Sequence, residues 1–242
     1  MPARSRRAAA TVLGISAILL CTTLAGNPSA QLQYIEDAVA TFNKNEPPAY
    51  RAFRRLEAGL VGSDKQGWLE AWTEFRPGQG FTFEVVREGG SEYVRNKVLR
   101  NLLKNEQELL ADGKALRQPL EARNYTFEDG GATDTGLHRI ILKPVRKSIG
   151  IVNGSVLIHP TAGVVAMNGR LVKSPSFWVR DVDVTWKFAT IGGYVVPVEM
   201  STDGRVRLFG KSTFRMTYQY VSIDGQATTA NSTKGQENYD KR

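Results

Sequence analysis

The sequence predicts an α+β fold in which helices cover the concave face of one strongly curved antiparallel sheet, an unclosed β-barrel. Apolar residues between positions 178 and 220 fall mainly on even numbers, with polar residues between them, and this period of two is typical of half-buried strands. Helical spacing is confined to the part of the chain before Gly113. Helices segregated in this way pack on one face of an antiparallel sheet, and a sheet of about nine strands tends to curl.

The chain begins with a segment that is typical of a secretory signal peptide. Three arginines precede an apolar run from Ala8 to Leu24, and small residues follow it. We place the cleavage after Ala30, with Ala25 as the alternative, and expect a periplasmic protein. The predicted divisions of the chain are a signal peptide over 1–30, one α+β domain over 31–225 and a disordered polar tail over 226–242.

Cysteine and charge exclude several classes of protein. The single cysteine, Cys21, lies within the apolar run after two leucines, whereas a lipoprotein cysteine follows a small residue, so no lipid anchor is expected. The mature chain then has no thiol for a disulfide, a metal or a nucleophile. Removal of three signal arginines lowers the formal charge from +8 to +5. No run of five cations occurs, which argues against nucleic-acid binding and leaves contact with an anionic membrane surface open.

The first half of the domain predicts two helical regions around one hairpin. Helical spacing of apolar residues predicts helix over Gln31–Leu60, interrupted by a Pro-Pro pair. Gly67–Phe75 alternates as a strand, and Phe81–Val85 is its return strand. An amphipathic helix of about five turns then begins after Ser91 and ends near Gly113.

The second half predicts strands throughout. Four single strands come first: Tyr125–Phe127, Leu137–Val145, Ser155–His159 and Val164–Leu171. The even-numbered apolar set over Phe177–Tyr220 then predicts a four-stranded meander. Its turns are placed at Gly192-Gly193, Asp203-Gly204 and Gly210.

This order of elements over residues 48–224 resembles the LolA/LolB-like fold of periplasmic carriers that sort outer-membrane lipoproteins. The blocks Gly67–Trp72 and Lys173–Trp178 look like the marks of an uncharacterised bacterial family with that fold. The resemblance implies an unclosed barrel with an apolar cavity for acyl chains under its helices. It also implies a lipid or lipidated protein as the partner, with an inner- or outer-membrane protein as a further one.

The predicted ligand site lies where the apolar face of the sheet meets the long helix. Sites for apolar ligands are concave and mostly apolar, and the even-numbered face supplies such a lining if the helices leave part of it open. The predicted lining residues are Trp178, Val182, Val184, Trp186, Val196, Val198, Phe214, Met216, Leu99 and Leu103.

Polar candidates for chemistry are few. Asp181 and Asp183 lie two apart on one strand, and Glu70 and Glu74 share a face with two tryptophans. A spacing of four residues in a strand separates the latter pair by about 13 Å, which is too far for a glycosidase. The two histidines lack companions at the spacing of a zinc site or a serine triad.

We therefore expect no catalytic residue, no metal site and no cofactor. The predicted function is that of a monomeric, non-catalytic carrier or binding protein for a lipid, a lipoprotein acyl chain or another hydrophobic ligand in envelope trafficking. Two alternatives stay open. One is a fully packed envelope interaction or assembly module without a ligand, and the other is a hydrolase with Glu70 or Asp183 in its site.

Overall fold

The computed structural model describes residues 28–44, 49–111, 120–174 and 179–228. Most of these residues lie in strands. The strands are β1 (Tyr50–Leu60), β2 (Gln66–Arg76), β3 (Gly80–Gly90), β4 (Tyr125–Ala132), β5 (His138–Pro144), β6 (Val152–His159), β7 (Gly163–Leu171), β8 (Val179–Ile191), β9 (Tyr194–Val206), β10 (Gly210–Ile223) and β11 (Gln226–Ala227).

Two helices accompany the strands. Helix α1 spans Pro28–Lys44. Helix α2 is one continuous helix of three segments, Glu92–Val94, a π-helical turn Arg95–Leu99, and Arg100–Ala111. Ser91 stands at the predicted N-cap position, but its side chain makes no capping hydrogen bond. No helix among the described residues is both long enough and apolar enough to cross a membrane.

The strands form one antiparallel sheet in the order β3-β2-β1-β10-β9-β8-β7-β6-β5-β4, with β11 paired to the end of β10. The first strand therefore lies beside the tenth, and the β1–β3 meander is joined to the long meander of the second half. The path is open, with β3 and β4 at its edges among the described strands. This arrangement confirms the predicted fold class of a curved, unclosed antiparallel sheet with helices.

One lateral row of apolar residues crosses eight strands. Residues directly opposite each other on paired strands project from the same face, so the register places the whole row on one face of the sheet. The row consists of Ile140, Val156, Met167, Trp186, Met200, Met216, Leu56 and Leu69. Both helices pack against residues of this row, and they therefore lie on the same, concave face.

Each helix covers one half of the concave face. Helix α1 packs on the β4–β8 half, where the Phe42 ring meets the Phe188 ring edge-on at 5.0 Å and the Tyr34 hydroxyl donates to the Ile158 carbonyl at 3.1 Å. Helix α2 packs on the other half, where Leu99 and Leu103 are fully buried among residues of β1, β2 and β10. The protein thus has two hydrophobic cores on one sheet.

The predicted helix over the second part of Gln31–Leu60 is wrong, because Tyr50–Leu60 is strand β1. Its inward residues are Ala52, Arg54 and Leu56, all buried. A charged residue at the central inward position hides the period of two that a strand shows. The first part of the prediction is confirmed by α1.

The predicted four-stranded meander has three strands. Strand β9 continues through Asp203-Gly204, and Gly204 lies opposite Ser212 of β10. The turn predicted at Gly192-Gly193 is confirmed, and the turn predicted at Gly210 is confirmed as the one between Val206 and Gly210, where Leu208 takes a positive φ of 69°. A leucine in the left-handed region is uncommon, so residue type favoured the Asp-Gly pair as the turn.

Several predictions fall partly or wholly outside the described residues. The first two residues of the tail predicted to be disordered, Gln226 and Ala227, instead pair with β10 as strand β11. With this strand the sheet has eleven strands rather than the predicted number of about nine. Most of the predicted signal peptide, any continuation of α2 beyond Ala111, Trp178 and the chain after residue 228 lie outside the described residues.

Candidate ligand-binding site

The centre of the concave face is less covered than its two sides. In the lateral row, Met167 on the α1 side and Met216 on the α2 side are buried, but Trp186 and Met200 between them are half-buried. Met200 contacts both hydrophobic cores. The two helices therefore leave a seam over β8 and β9.

The seam widens towards one end of the sheet. The next row in that direction contains Thr202, Phe214 and Ala58, which are all half-buried. In the opposite direction Val198 is half-buried, but Val196 and Tyr218 are buried. We define the central strip as the half-buried residues that β1, β8, β9 and β10 contribute to these two rows, and its members are Ala58, Trp186, Met200, Thr202 and Phe214.

Seven of the ten predicted lining residues belong to the two cores or to the strip. Val184 packs in the α1 core, whereas Leu99, Leu103, Val196 and Met216 pack in the α2 core. Val182 is buried, Val198 is half-buried, and Trp178 lies outside the described residues. Trp186 and Phe214 belong to the central strip, so the accessible part of the predicted lining is centred on these two residues.

A buried ion pair joins the sheet to helix α2. Arg54 of β1 is 1% exposed, and its guanidinium donates to both carboxylate oxygens of Glu106, at 2.7 Å from Nη1 and 3.0 Å from Nη2. Nη2 also donates to the Tyr50 hydroxyl at 2.8 Å. The guanidinium carbon lies 4.6 Å from the Tyr218 ring centre and 5.2 Å from that of Phe81. The bidentate geometry is the stronger, directional form of such a pair.

The pair controls the electrostatics of its surroundings. Burial lowers the pKa of Arg54, but Glu106 and the nearby tyrosines outweigh this effect and hold the pKa well above its ordinary value. Burial raises the pKa of Tyr50 to about 12, although Arg54 opposes the rise. Burial also raises the pKa of Tyr218. The arginine is therefore charged and the tyrosines are neutral at any physiological pH.

Further polar contacts fasten α2 to the edge strand β3. The Gln107 side chain donates to the Phe81 carbonyl at 2.8 Å. Arg95 and Arg100 both donate to Glu88, at 2.7 and 2.6 Å, and Arg95 lies in the π-helical turn. The side chains of these contacts are half-buried or exposed. The Arg54–Glu106 pair is therefore the least exposed of the polar contacts between α2 and the sheet.

The carboxylates singled out on the convex face are each held by arginine. Glu70 is buried and accepts from Arg55 at 2.8 Å and from Arg87 at 2.7 Å. Glu74 pairs with Arg76.

The predicted neighbouring carboxylates of β8 are separated by a bulge. The register changes between Arg180 and Asp183, and Asp181 takes a positive φ of 49°. Asp183 accepts two hydrogen bonds from Arg170, at 2.8 and 3.0 Å, which lower the pKa of this carboxyl. The bulge breaks the regular spacing from which we predicted that the two aspartates share one strand face, and Asp183 is the one that binds Arg170.

The histidines make local contacts. His138 is buried and lies 2.7 Å from Asp129, and His159 accepts from the Thr161 backbone N–H at 3.2 Å. Within the described ranges, no group of three or more His, Cys, Asp or Glu side chains is placed to hold a metal ion.

A separate small cleft of about 270 Å³ lies at the opposite end of the sheet from the wide end of the strip. Pairing of β9 with β10 ends at Glu199 and Thr217, and Pro197, which follows in the direction of the cleft, has no N–H to donate. The cleft is lined by Thr190, Ile191, Gly192, Ile223, Gln226, Ala227 and Thr228. None of the predicted lining residues belongs to it.

Sequence reasoning missed Arg54 and Glu106. The signal that could have found them is the inward position of Arg54 between Ala52 and Leu56, once Tyr50–Leu60 is taken as a strand. Glu106 follows Leu99 and Leu103 at helical spacing on the apolar side of α2, and a carboxylate there requires a buried partner.

Comparisons with known proteins give little. No protein-family description matches the chain, and no curated protein matches it. One similar solved structure is the crystal structure of a DUF1329 family protein from Desulfovibrio piger, with 10% sequence identity and a TM-score of 0.41. The match covers 78% of this chain and 90% of that chain.

Proposed function

We propose that this protein is a non-catalytic binding protein or carrier for a hydrophobic ligand, such as a lipid or the acyl chain of a lipoprotein, which lies along the central strip. The observation that carries the proposal is the half-buried pair Trp186 and Met200 in the middle of a row that is buried on both sides. A concave, apolar surface bounded by two covers is the usual form of a site for apolar ligands.

Helix α2 is the proposed movable cover. Its leucines and the Arg54–Glu106 pair hold it over β1 and β10, and an acyl chain longer than the strip requires the cover to shift. The resemblance of the element order to the LolA/LolB-like carriers supports the same reading. Export to the periplasm, a monomeric state and a membrane-protein partner belong to this proposal.

The proposal can be tested with oleic acid as the probe. Oleic acid should change the tryptophan emission saturably and raise the melting temperature, because a ligand that binds only the folded state stabilises it. Met200→Glu should abolish both effects, since an unpaired charge in the strip excludes an acyl tail. Ser201→Glu is the matched control, because Ser201 is the next residue and projects from the other face of β9.

Two results would contradict the proposal. Equal binding by the Met200→Glu and wild-type proteins would place the ligand elsewhere. Hydrolysis of an ester probe during the titration would favour a hydrolase instead.

Export has its own test. N-terminal sequencing of the exported protein should begin near Gln31, and a retained Met1 or a lipid on Cys21 would contradict it.

A further inference from the structure

The two ends of the sheet differ in the side chains of their turns. The turns at the wide end of the strip are 61–65, 145–151, 207–209 and the described part, 172–174, of the connection between β7 and β8. The turns at the other end are 77–79, 133–137, 160–162, 192–193 and 224–225, all of them described. We call these the first and second ends.

Exposed apolar side chains are concentrated at the first end. Leu208 is 93% exposed and Phe209 is 56% exposed at the tip of the β9–β10 turn. Val61, Val145 and Ile149 are exposed in the neighbouring turns of the same end. None of the large exposed apolar residues among the described part of the chain lies in a turn of the second end.

The two ends also differ in charge, and the cations lie at the end that carries the exposed apolar side chains. The described turns of the first end carry five cations, Lys65, Arg146, Lys147, Lys173 and Arg207, against the single carboxylate Asp64. The turns of the second end carry two carboxylates, Asp134 and Asp224, and no cation. The first end is therefore both the apolar and the basic end of the sheet.

Three further cations stand side by side next to these turns. Arg205 of β9 is directly opposite Arg180 of β8 on one side and Lys211 of β10 on the other. All three are exposed, and none has a described carboxylate within ion-pair distance. Like charges directly opposite each other on paired strands destabilise a sheet, and an external anion would relieve this repulsion. The nearest carboxylates on the same face, Asp183 and Asp203, lie one row further from the turn.

The β9–β10 turn, which carries Leu208 and Phe209, has a backbone conformation that its residue types disfavour. Leu208 has a φ of 69°, where glycine or asparagine is favoured over leucine. The Phe209 ring lies 5.0 Å from the Lys65 ammonium, and the Val61 N–H donates to the Lys211 carbonyl at 2.9 Å. The β1–β2 and β9–β10 turns therefore form one apolar tip with cations around it.

We propose that the first end of the sheet docks on an anionic lipid bilayer. Leu208 and Phe209 enter the interfacial region, and Arg180, Arg205 and Lys211 contact the phosphate groups of the lipids. Apolar side chains surrounded by cations are the combination that binds such interfaces. Docking in this orientation turns the wide end of the central strip towards the bilayer, but it does not require the strip to bind a lipid.

The test is sedimentation of the purified protein with vesicles of phosphatidylcholine and phosphatidylglycerol in equal parts. The wild-type protein should bind these vesicles, bind pure phosphatidylcholine vesicles much more weakly, and dissociate as salt is raised. Leu208→Asn with Phe209→Ser should weaken binding about tenfold or more, since two large apolar side chains are lost. Asparagine tolerates the positive φ at position 208, so the turn should keep its fold.

A second variant addresses the cations. Arg205→Gln with Lys211→Gln should weaken binding by about fivefold for each charge at low salt. Val221→Ser with Lys104→Gln is the matched control, because it removes an exposed apolar residue and an exposed cation away from the first end. This control should bind as the wild type does.

The outcomes separate this proposal from the proposed function. Met200→Glu should bind vesicles as the wild type does, even though it loses the fatty acid. The docking proposal is overturned by the absence of vesicle binding, by unchanged binding of both first-end variants, or by equal affinity for neutral vesicles. Self-association that is lost in the Leu208→Asn/Phe209→Ser variant, without vesicle binding, would also overturn it and would show that this end meets protein.

Discussion

Removal of either residue of the Arg54–Glu106 pair should lower the free energy of unfolding by several kcal/mol. Replacement of both residues by apolar ones should change it little. The side chains are 2% and 8% exposed, and each charge is compensated by the other through two hydrogen bonds. Arg54→Met leaves the Glu106 carboxylate buried without its partner. Breaking a buried pair in this way costs about 3–5 kcal/mol, and we expect Glu106→Leu to cost a similar amount.

Replacement of both residues should restore most of the loss. Arg54→Met with Glu106→Leu removes both desolvated charges and fills the space with apolar groups, which is often neutral or stabilising. The double variant gives up the hydrogen bond to Tyr50, worth about 1 kcal/mol, and the contacts of the guanidinium with the Tyr218 and Phe81 rings, worth about 1–2 kcal/mol. We therefore expect a coupling energy of about 3 kcal/mol, at the upper end of the range found for residues in direct contact.

The assay is urea unfolding of the wild type, both single variants and the double variant, followed by circular dichroism. Arg54→Lys keeps the charge and loses the bidentate contact, so it should fall between the wild type and Arg54→Met. Single losses below about 1 kcal/mol, or losses that simply add in the double variant, would contradict this expectation. Such results would mean that water reaches the pair and that it does not hold α2 on the sheet.

Three other predictions concern the fold. Leu103→Ala should cost about 2–5 kcal/mol in urea unfolding, because Leu103 of α2 is fully buried against the sheet. Leu109→Ala, at a site of the same helix that is 39% exposed, should cost less than about 1 kcal/mol. Equal losses would show that α2 covers the sheet with another side. Because burial raises the pKa of Tyr50 to about 12 from about 10 in the unfolded chain, the contribution of this tyrosine should be complete below pH 10 and decline by about 2–3 kcal/mol as the pH rises to 12. Tyr50→Phe should therefore lose less stability over that range, and an unchanged alkaline titration would contradict this. A Cβ on Gly154 would lie 2.0 Å from a carbonyl oxygen of β7, whereas a Cβ on Gly204 would meet nothing closer than 3.5 Å. Gly154→Ala should therefore lower the free energy of unfolding by about 1–3 kcal/mol or more through overpacking, and Gly204→Ala should not.

The parts of the fold that sequence predicted are those where the local pattern and the packed structure agree. In β10 the even-numbered Met216, Tyr218 and Tyr220 are buried, as a period of two predicts. Helix α2 has Leu99, Leu102, Leu103 and Leu110 on its covered side, although Leu109 is exposed, and the alternation of β2 is equally clear. These elements have one face in the core and one in solvent, so their residue types reveal their structure.

The errors arise where partners distant in sequence decide the structure. Arg54 lies inward in β1 because Glu106, 52 residues later, compensates its charge, and no local pattern contains that information. Asp203-Gly204 stays within β9 because β8 and β10 pair on both sides of it. The central strip was predictable only as an apolar face, because how far two helices spread over a sheet depends on packing that the sequence pattern does not carry.

Under the proposed function, the hydrophobic ligand lies on the concave strip rather than on the convex face. Trp186 belongs to the strip, whereas Trp72 lies on the convex face with the Arg51 guanidinium 4.7 Å from its ring centre. Two variants, each retaining only one of these tryptophans and carrying phenylalanine at the other three tryptophan positions, can be titrated with dibromostearic acid, which quenches nearby tryptophan emission. We expect saturable quenching of Trp186 and none of Trp72. Quenching confined to Trp72, or no saturable quenching of either residue, would contradict it.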